Sequence, residues 1–226
     1  MQIAILLYEG LTALDAVGPY EVLSRLPETS LRFVARQSGL KRTDTAGALA
    51  LNADYSLEDV PHPDILVIPG GMAGTFAAAK DQLVLSWIQA AHATSQWTTS
   101  VCSGALLLGA AGLLKGLTAT THWAAQAALE QYGATYLPER FIQHGKLITA
   151  AGVSAGIDMA FYLAAQIAGP EMARAIQLEI EYDPQPPFDA GSLQKASQTT
   201  IDLTRQLLQQ QAAQEQARMA QRAHKS

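Results

Sequence analysis

The chain has 226 residues, 49% of them apolar and 15% charged, with a formal net charge of −5, which is ordinary for a soluble globular domain that buries one large core or at most two small ones. The acidic balance, without a basic cluster, argues against a nucleic-acid surface. A single cysteine, Cys102, excludes an intramolecular disulfide and leaves two readings of that thiol: a small buried hydrophobe, or a nucleophile.

Taken in chain order, "QIAILLY" (2–8) is a continuous apolar run, the pattern of a strand covered on both faces. "GPYEVLSRL" (18–26) follows as an amphipathic helix with Pro19 near its start. "LRFVARQ" (31–37) reads as a strand, "ALALNADYSL" (48–57) as a shorter, more polar strand pair or hairpin, and "DILVIPGG" (64–71) as a central strand ending in two glycines. A helix through "VLSWIQAAHA" (84–93) leads to the strand "WTTSVC" (97–102), which stops at the cysteine, and "SGALLLGAAGLL" is helical. "LTATTHW" and "AAQAALEQYG" make a short strand and a helix, and "RFIQHGKLITAAG" (140–152) a hairpin with "HGK" at its tip. "SAGIDMAFYLAAQIAG" (154–169) and "EMARAIQLEIEY" (171–182) are the last helices of the body. The apolar run after "HATSQWTTS" is too short for a membrane span. "MQIAILLYEG" lacks the features of a signal peptide, so a cytoplasmic location is expected.

Strands alternating with crossover helices predict a three-layer α/β/α sandwich with a mainly parallel, flavodoxin-like sheet, and ligands bind such sheets beyond the carboxyl ends of the strands. Cys102 sits where a buried strand turns directly into a helix between small residues, the geometry of a nucleophile elbow. The helix that follows directs its dipole and free N–H groups at the sulfur, which predicts a stabilised thiolate. Two more strand ends converge on this edge. "EGLTALDAVGP" brings Asp15, and "PGGMAG" brings Gly70 and Gly71, whose N–H groups are expected to serve as an oxyanion hole.

The remaining polar residues have blander readings. His122 in "TTHW" is either the third member of a triad or structural, and Glu21 points to solvent, core or site. His62 and His92 are expected to be solvated, His144 to mark the hairpin tip, and Asp183 and Asp189 to form turns among prolines. No histidine has metal-ligand spacing, and there is no GxGxxG, P-loop or cofactor lysine signature, so neither metal nor cofactor is expected.

"LDAVGPYEVL", "DILVIPGG", "VCSGALLLGAAGLLKGLTATTHW" and "AAGVSAGIDMAFYLA", in that order and spacing, resemble the ThiJ/PfpI superfamily, relatives of the class I glutamine amidotransferases, over residues 1 to about 190. "IEYDPQPPFDAGS" (180–192) is similar to a signature of its isonitrile hydratase branch, which adds water to an isonitrile to give an N-substituted formamide. The resemblance implies Cys102 as nucleophile and Asp15 as its carboxylate partner. Many relatives carry a histidine directly after the cysteine; here Ser103 stands there, so an adjacent Cys–His pair is excluded. The isonitrile hydratase branch also has a hydroxyl residue at that position, there threonine, able to orient a water or to hydrogen-bond Asp15.

These readings combine into a cofactor-free enzyme in which Cys102 attacks the terminal carbon of an isonitrile, Asp15 supplies a proton, and water near Asp15 and Ser103 releases the formamide. The alternatives are a glyoxalase or deglycase, a cysteine redox sensor or chaperone, and a transcriptional regulator, for which the chain lacks room for a helix-turn-helix module. A homodimer with a small-molecule substrate, and no nucleic-acid or membrane partner, is expected. Residues 1–193 form the catalytic domain and 194–226 a helical extension capped at Ser197. The first half of that helix, around Ile201, Leu203, Leu207 and Leu208, is expected to dock and the second half to project into solvent, so that truncation after Gln209 changes the rate little.

Overall fold

The computed structural model describes residues 1–44 and 47–223. The apolar run at the start forms β1 (Gln2–Leu6), fully buried from Ile3 onward, and α1 (Ala13–Leu23) follows. Then come β2 (Ser30–Ala35), β3 (Gly39–Arg42), β4 (Ala50–Ala53), β5 (Tyr55–Ser56) and β6 (Ile65–Ile68). Next are α2 (Ala73–Ala78), α3 (Gln82–Thr94), β7 (Trp97–Val101) and α4 (Ala105–Ala110), the last reached through a 3-10 turn over Cys102–Gly104. β8 (Thr118–Ala119), α5 (Gln126–Gln131) and β9 (Thr135–Tyr136) precede the hairpin of β10 (Phe141–His144) and β11 (Leu147–Ala150). The helices α6 (Ala155–Ala168), α7 (Pro170–Glu179) and α8 (Gln198–Ala223) complete the order.

Seven strands form one sheet in the order β10-β11-β7-β6-β1-β2-β5, parallel throughout except where β10 pairs antiparallel with β11. This is the expected doubly wound sheet, with helices on both faces and a core of fully buried Ile3, Ile5, Leu6, Ile65, Leu66 and Ile68 against Leu106 and Leu107 of α4. The order reverses at β1, so the carboxyl ends of β1, β6 and β7 open side by side, the crevice where such sheets take ligands. In register, Val67 of β6 pairs with Ile5 of β1 and with Thr99 of β7, which brings the segments after all three strands level.

Four local features differ from the sequence reading. α1 begins at Ala13, not Gly18, so Asp15 lies in its first turn and Pro19 inside the helix; the proline was the misleading start signal. The 48–57 stretch is not a hairpin by itself: β4 pairs with β3, whose four residues carry too short an alternation to stand out, and β5 joins the main sheet. β9, two residues long, pairs with β8. α2 arises between the two glycines after β6 and the helix around 84–93, a stretch that carries no assignment from the sequence.

Candidate active site

Cys102 follows directly on β7 with φ +58, a left-handed conformation that a side-chain-bearing residue holds only when its surroundings impose it. Two hydrogen bonds do so. The Cys102 N–H donates to the Ala151 carbonyl at the end of β11 (2.8 Å), and Thr121 Oγ1 donates to the Cys102 carbonyl (2.8 Å). Gly104 permits the sharp turn, since a Cβ there would stand 2.2 Å from the Ile68 carbonyl oxygen. The elbow expected from the sequence is therefore present, with the thiol 6% exposed at the floor of a cavity.

Asp15 enters the same space from α1 and is fully buried. Its Oδ2 accepts the Gly70 N–H (2.9 Å), whereas Oδ1 is buried without a hydrogen-bond partner. The Cys102 thiol is coupled electrostatically to this carboxyl group without the geometry of a well-formed hydrogen bond. Burial pushes the Asp15 carboxyl up to about 8, against the downward pull of the Gly70 N–H. Burial and the neighbouring Asp15 also raise the Cys102 thiol well above its ordinary value, outweighing the Ser103 N–H. The thiolate expected from the helix dipole is thus not the resting form: at neutral pH both groups keep their protons, because desolvation exceeds the field of a short turn.

Gly70 and Gly71 support this pair. Gly70 donates to Asp15, and the Gly71 N–H donates to Ser103 Oγ (3.0 Å), so neither amide is left open as the expected oxyanion hole. Gly70 is obligatory for space: a Cβ there would stand 2.6 Å from the Ser103 nitrogen and 2.9 Å from Asp15 Oδ2. The Ser103 hydroxyl donates to the Gly71 carbonyl (2.6 Å) and meets Thr75 Oγ1 at 3.0 Å, so it turns away from Asp15. Thr75 continues to the buried Tyr8, whose hydroxyl donates to the Pro69 carbonyl (2.7 Å). Thr75 and Tyr8 carried no motif signal and become visible only when the loop after β6 folds over the elbow.

The cavity above Cys102 has a volume of about 730 Å³. Gly71, Met72 and Phe76 line one side, His122, Trp123 and Val153 the other, and Arg205, Leu208, Ala212 and Gln216 of α8 form its outer wall. The C-terminal helix therefore does not project: Glu215 is 2% exposed and Arg218 Nη2 donates to the Asp44 carbonyl (2.6 Å). Its cap is as expected, Ser197 Oγ accepting the Thr200 N–H (3.2 Å). The docking of the second half was hidden because two charged side chains, rather than an apolar stripe, hold it down. The last three residues of the predicted extension lie outside the described residues.

With a left-handed cysteine at the end of β7, a buried acid from α1 and a hydroxyl beside them, the chain can be compared with known proteins. Residues 1–166 match the DJ-1/PfpI family. The chain belongs to that family. It is 40% identical to an isonitrile hydratase of Pseudomonas putida over 205 residues, 91% of this chain and 89% of the relative. A ThiJ/PfpI family protein from Pseudomonas syringae superposes with a TM-score of 0.86 at 37% identity, covering 94% of this chain and 89% of that one. A Parkinson disease protein 7 homolog of Danio rerio is 24% identical over 76% of this chain and 93% of its own length.

The other candidate residues fall into place on this DJ-1/PfpI fold. His122 lines the cavity with Cys102; its Nδ1 accepts the Ala124 N–H (3.3 Å) and burial lowers its pKa, so the ring is neutral with its proton on Nε2. Glu21 is settled: its side chain, 52% exposed, pairs with Arg25 at 2.9 Å on the solvent face of α1. His92 departs from its expected solvation, sharing a hydrogen bond with Thr98 Oγ1 (2.9 Å). His62 approaches Thr94 on the surface, and His144 ends β10 beside Thr118. Asp189 pairs with Lys195 on the surface, and Asp183 accepts from Gln185, both in the 180–192 loop and outside the cavity. That loop is tied back by Tyr182, whose hydroxyl donates to Asp158 Oδ1 (2.7 Å). Among the described residues no group of three metal-binding side chains occurs, and no helix is long and apolar enough to cross a membrane.

Proposed function

We propose that the protein hydrates an isonitrile to an N-substituted formamide, with Cys102 as nucleophile and Asp15 as general acid. The observation that carries this reading is the left-handed Cys102 at the floor of the cavity with the buried Asp15 carboxyl beside it, whose Oδ1 has no hydrogen-bond partner; burial raises both groups toward their protonated forms. The terminal carbon of an isonitrile is at once weakly basic and electrophilic, so it requires an acid and a thiol at the same atom. The kinship at 40% identity with an isonitrile hydratase supports the same substrate class.

The step balances as follows. The Asp15 proton goes to the terminal carbon as the sulfur of Cys102 bonds to it, and the thiol proton returns to Asp15, leaving a thioimidate, R–N=CH–S–Cys102. Oδ1 is the oxygen that delivers and recovers the proton, because Oδ2 is held by Gly70. Water then adds to the same carbon while nitrogen takes a proton. Collapse breaks the C–S bond, the hydroxyl proton passes to sulfur, and the formamide leaves. Ser103 holds Gly71 over the pair and acts on the water through that loop; Gly70 and Gly71 contribute to substrate binding by fixing Asp15 and Ser103 rather than by direct contact. The neutral His122 contributes an Nε2–H to the cavity wall. No step needs a cofactor or a metal.

A redox-sensor role draws less support, since a thiol raised by burial and a carboxyl group resists oxidation at neutral pH. The location we propose is cytoplasmic, and the working unit a homodimer; α7 leaves Met172 and Leu178 exposed, and a single-chain mass in solution at micromolar concentration would contradict the dimer. The function itself is tested by incubating the protein with cyclohexyl isocyanide and, separately, with methylglyoxal. N-cyclohexylformamide in the first and no lactate in the second supports the reading; the reverse pattern assigns a glyoxalase.

A further inference from the structure

α8 sits where its apolar content alone would not hold it. Leu203 and Leu207 are 56% and 46% exposed, and beyond Leu208 the helix is largely glutamine and alanine. Its firmest attachment is instead a carboxylate. Glu215 Oε2 accepts the Ala73 N–H (2.9 Å) and Oε1 the Gly74 N–H (3.1 Å), in a space that exists because residue 10 is glycine: a Cβ on Gly10 would stand 2.1 Å from Oε1. One turn on, Arg218 reaches the Asp44 carbonyl, and Asp44 accepts in turn from Thr12 Oγ1. The two anchors thus grip the segment after β6 and the segment after β3, the latter bonded in turn to the loop after β1. The first is continuous with Gly70 and Gly71, which hold Asp15 and Ser103. Between the anchors and the cysteine lie Leu208, Ala212 and Gln216, facing the cavity.

We propose that Glu215 is a positioning residue that latches α8 as the outer wall of the Cys102 cavity, so that α8 decides which isonitriles fit. The size-selection part rests on the function proposed above; the latch does not. A buried carboxylate on two backbone N–H groups is a strong, directional attachment, whereas the glutamine-rich face around it gives little on its own. Released, the helix would leave the cavity without the wall that Arg205, Leu208, Ala212 and Gln216 supply.

The test compares wild type with Glu215→Ala and Glu215→Gln. The glutamine side chain of the second variant would fill the same space while offering one acceptor oxygen to two N–H donors, and it carries the test should the alanine variant fail to fold. Two readouts are independent of activity: alkylation of Cys102 by a bulky pyrenyl maleimide against small iodoacetamide, and amide exchange over 205–218. The latch predicts that Glu215→Ala raises the bulky-reagent rate about tenfold, as expected for losing hydrogen bonds to a charged group, with much less change for iodoacetamide. Exchange in α8 quickens, and Glu215→Gln falls between. For cyclohexyl isocyanide KM rises about fivefold or more, with kcat within about twofold, the pattern of lost binding rather than lost chemistry. Unchanged bulky alkylation and exchange would overturn the latch. A freed helix with unchanged KM would overturn its selection of substrate. Were the wild type to hydrate no isonitrile, the functional reading would fall, while alkylation and exchange would still decide whether Glu215 holds α8.

Discussion

Cys102 and Asp15 stand in an unusual relation for a nucleophile and its partner: burial raises both groups, and Asp15 raises the thiol further, while the thiol only partly offsets the upward shift of the carboxyl group. The cysteine is also held at φ +58, a strain of about 1–3 kcal/mol that the Ala151 and Thr121 hydrogen bonds must offset. Alanine tolerates that conformation no worse than cysteine, so Cys102→Ala leaves the fold and the melting temperature close to wild type while hydration falls by about 10⁴-fold or more. Asp15→Asn separates acid from scaffold. The amide carbonyl that this substitution introduces would still accept from Gly70, so KM stays within a few-fold while kcat drops at least about a hundredfold. Its thermal behaviour is the sharper check. The folded state holds the Asp15 proton up to about pH 8, against an ordinary value of 3.8, so the unfolded chain binds fewer protons between those values. The stabilisation linked to that proton is full below pH 3.8 and declines as pH rises to about 8. Denaturant titrations of Asp15→Asn across this range lose that decline, and the variant exceeds wild type in stability at the alkaline end; an unaltered slope would place the carboxyl group elsewhere.

Among the elements, the loop from β6 into α2 does most to assemble the site. Ser103→Ala would strip the Gly71 N–H of its acceptor and Thr75 of a partner, costing about 1–3 kcal/mol of stability and loosening Asp15 through the same loop, which circular-dichroism melts and kcat together would register. α8 is the element whose role changes most between sequence and fold. Truncation after Gln209 removes Ala212, Gln216 and both anchors, so a large rise in KM with a folded body is expected, and a rate profile matching the full chain would contradict the docked wall. Sequence pattern reveals an element well when its own residues carry the signal. β1 and β6 are continuous apolar runs and the strand before Cys102 ends on it, so their places were legible. α1 was displaced because a proline inside the helix imitates a first-turn proline, and α8 was misplaced because its anchors, Glu215 and Arg218, bind backbone groups more than 140 residues away in sequence.

For the molecule as a whole, the alternation of strands and helices was enough to derive the parallel sheet, and the rule that ligands lie beyond strand ends was enough to converge on Cys102, Asp15 and the two glycines. The protonation of the pair was not legible, because it depends on how deeply folding buries two groups that are 87 residues apart. A buried neutral pair beneath a cavity of about 730 Å³ also explains why a thiol that is poorly ionised at rest suits this substrate: the isonitrile carbon takes the acid's proton and the sulfur in one place. The most direct measurement is therefore made on Cys102 itself. Wild type and Cys102→Ala are mixed with cyclohexyl isocyanide, quenched in acid after one turnover, and examined by intact mass and peptide mapping alongside formamide release. The thioimidate account predicts a mass gain equal to the whole isonitrile on the Cys102 peptide of the wild type, and neither adduct nor formamide from the variant. Formamide released by Cys102→Ala at a rate near wild type would contradict it.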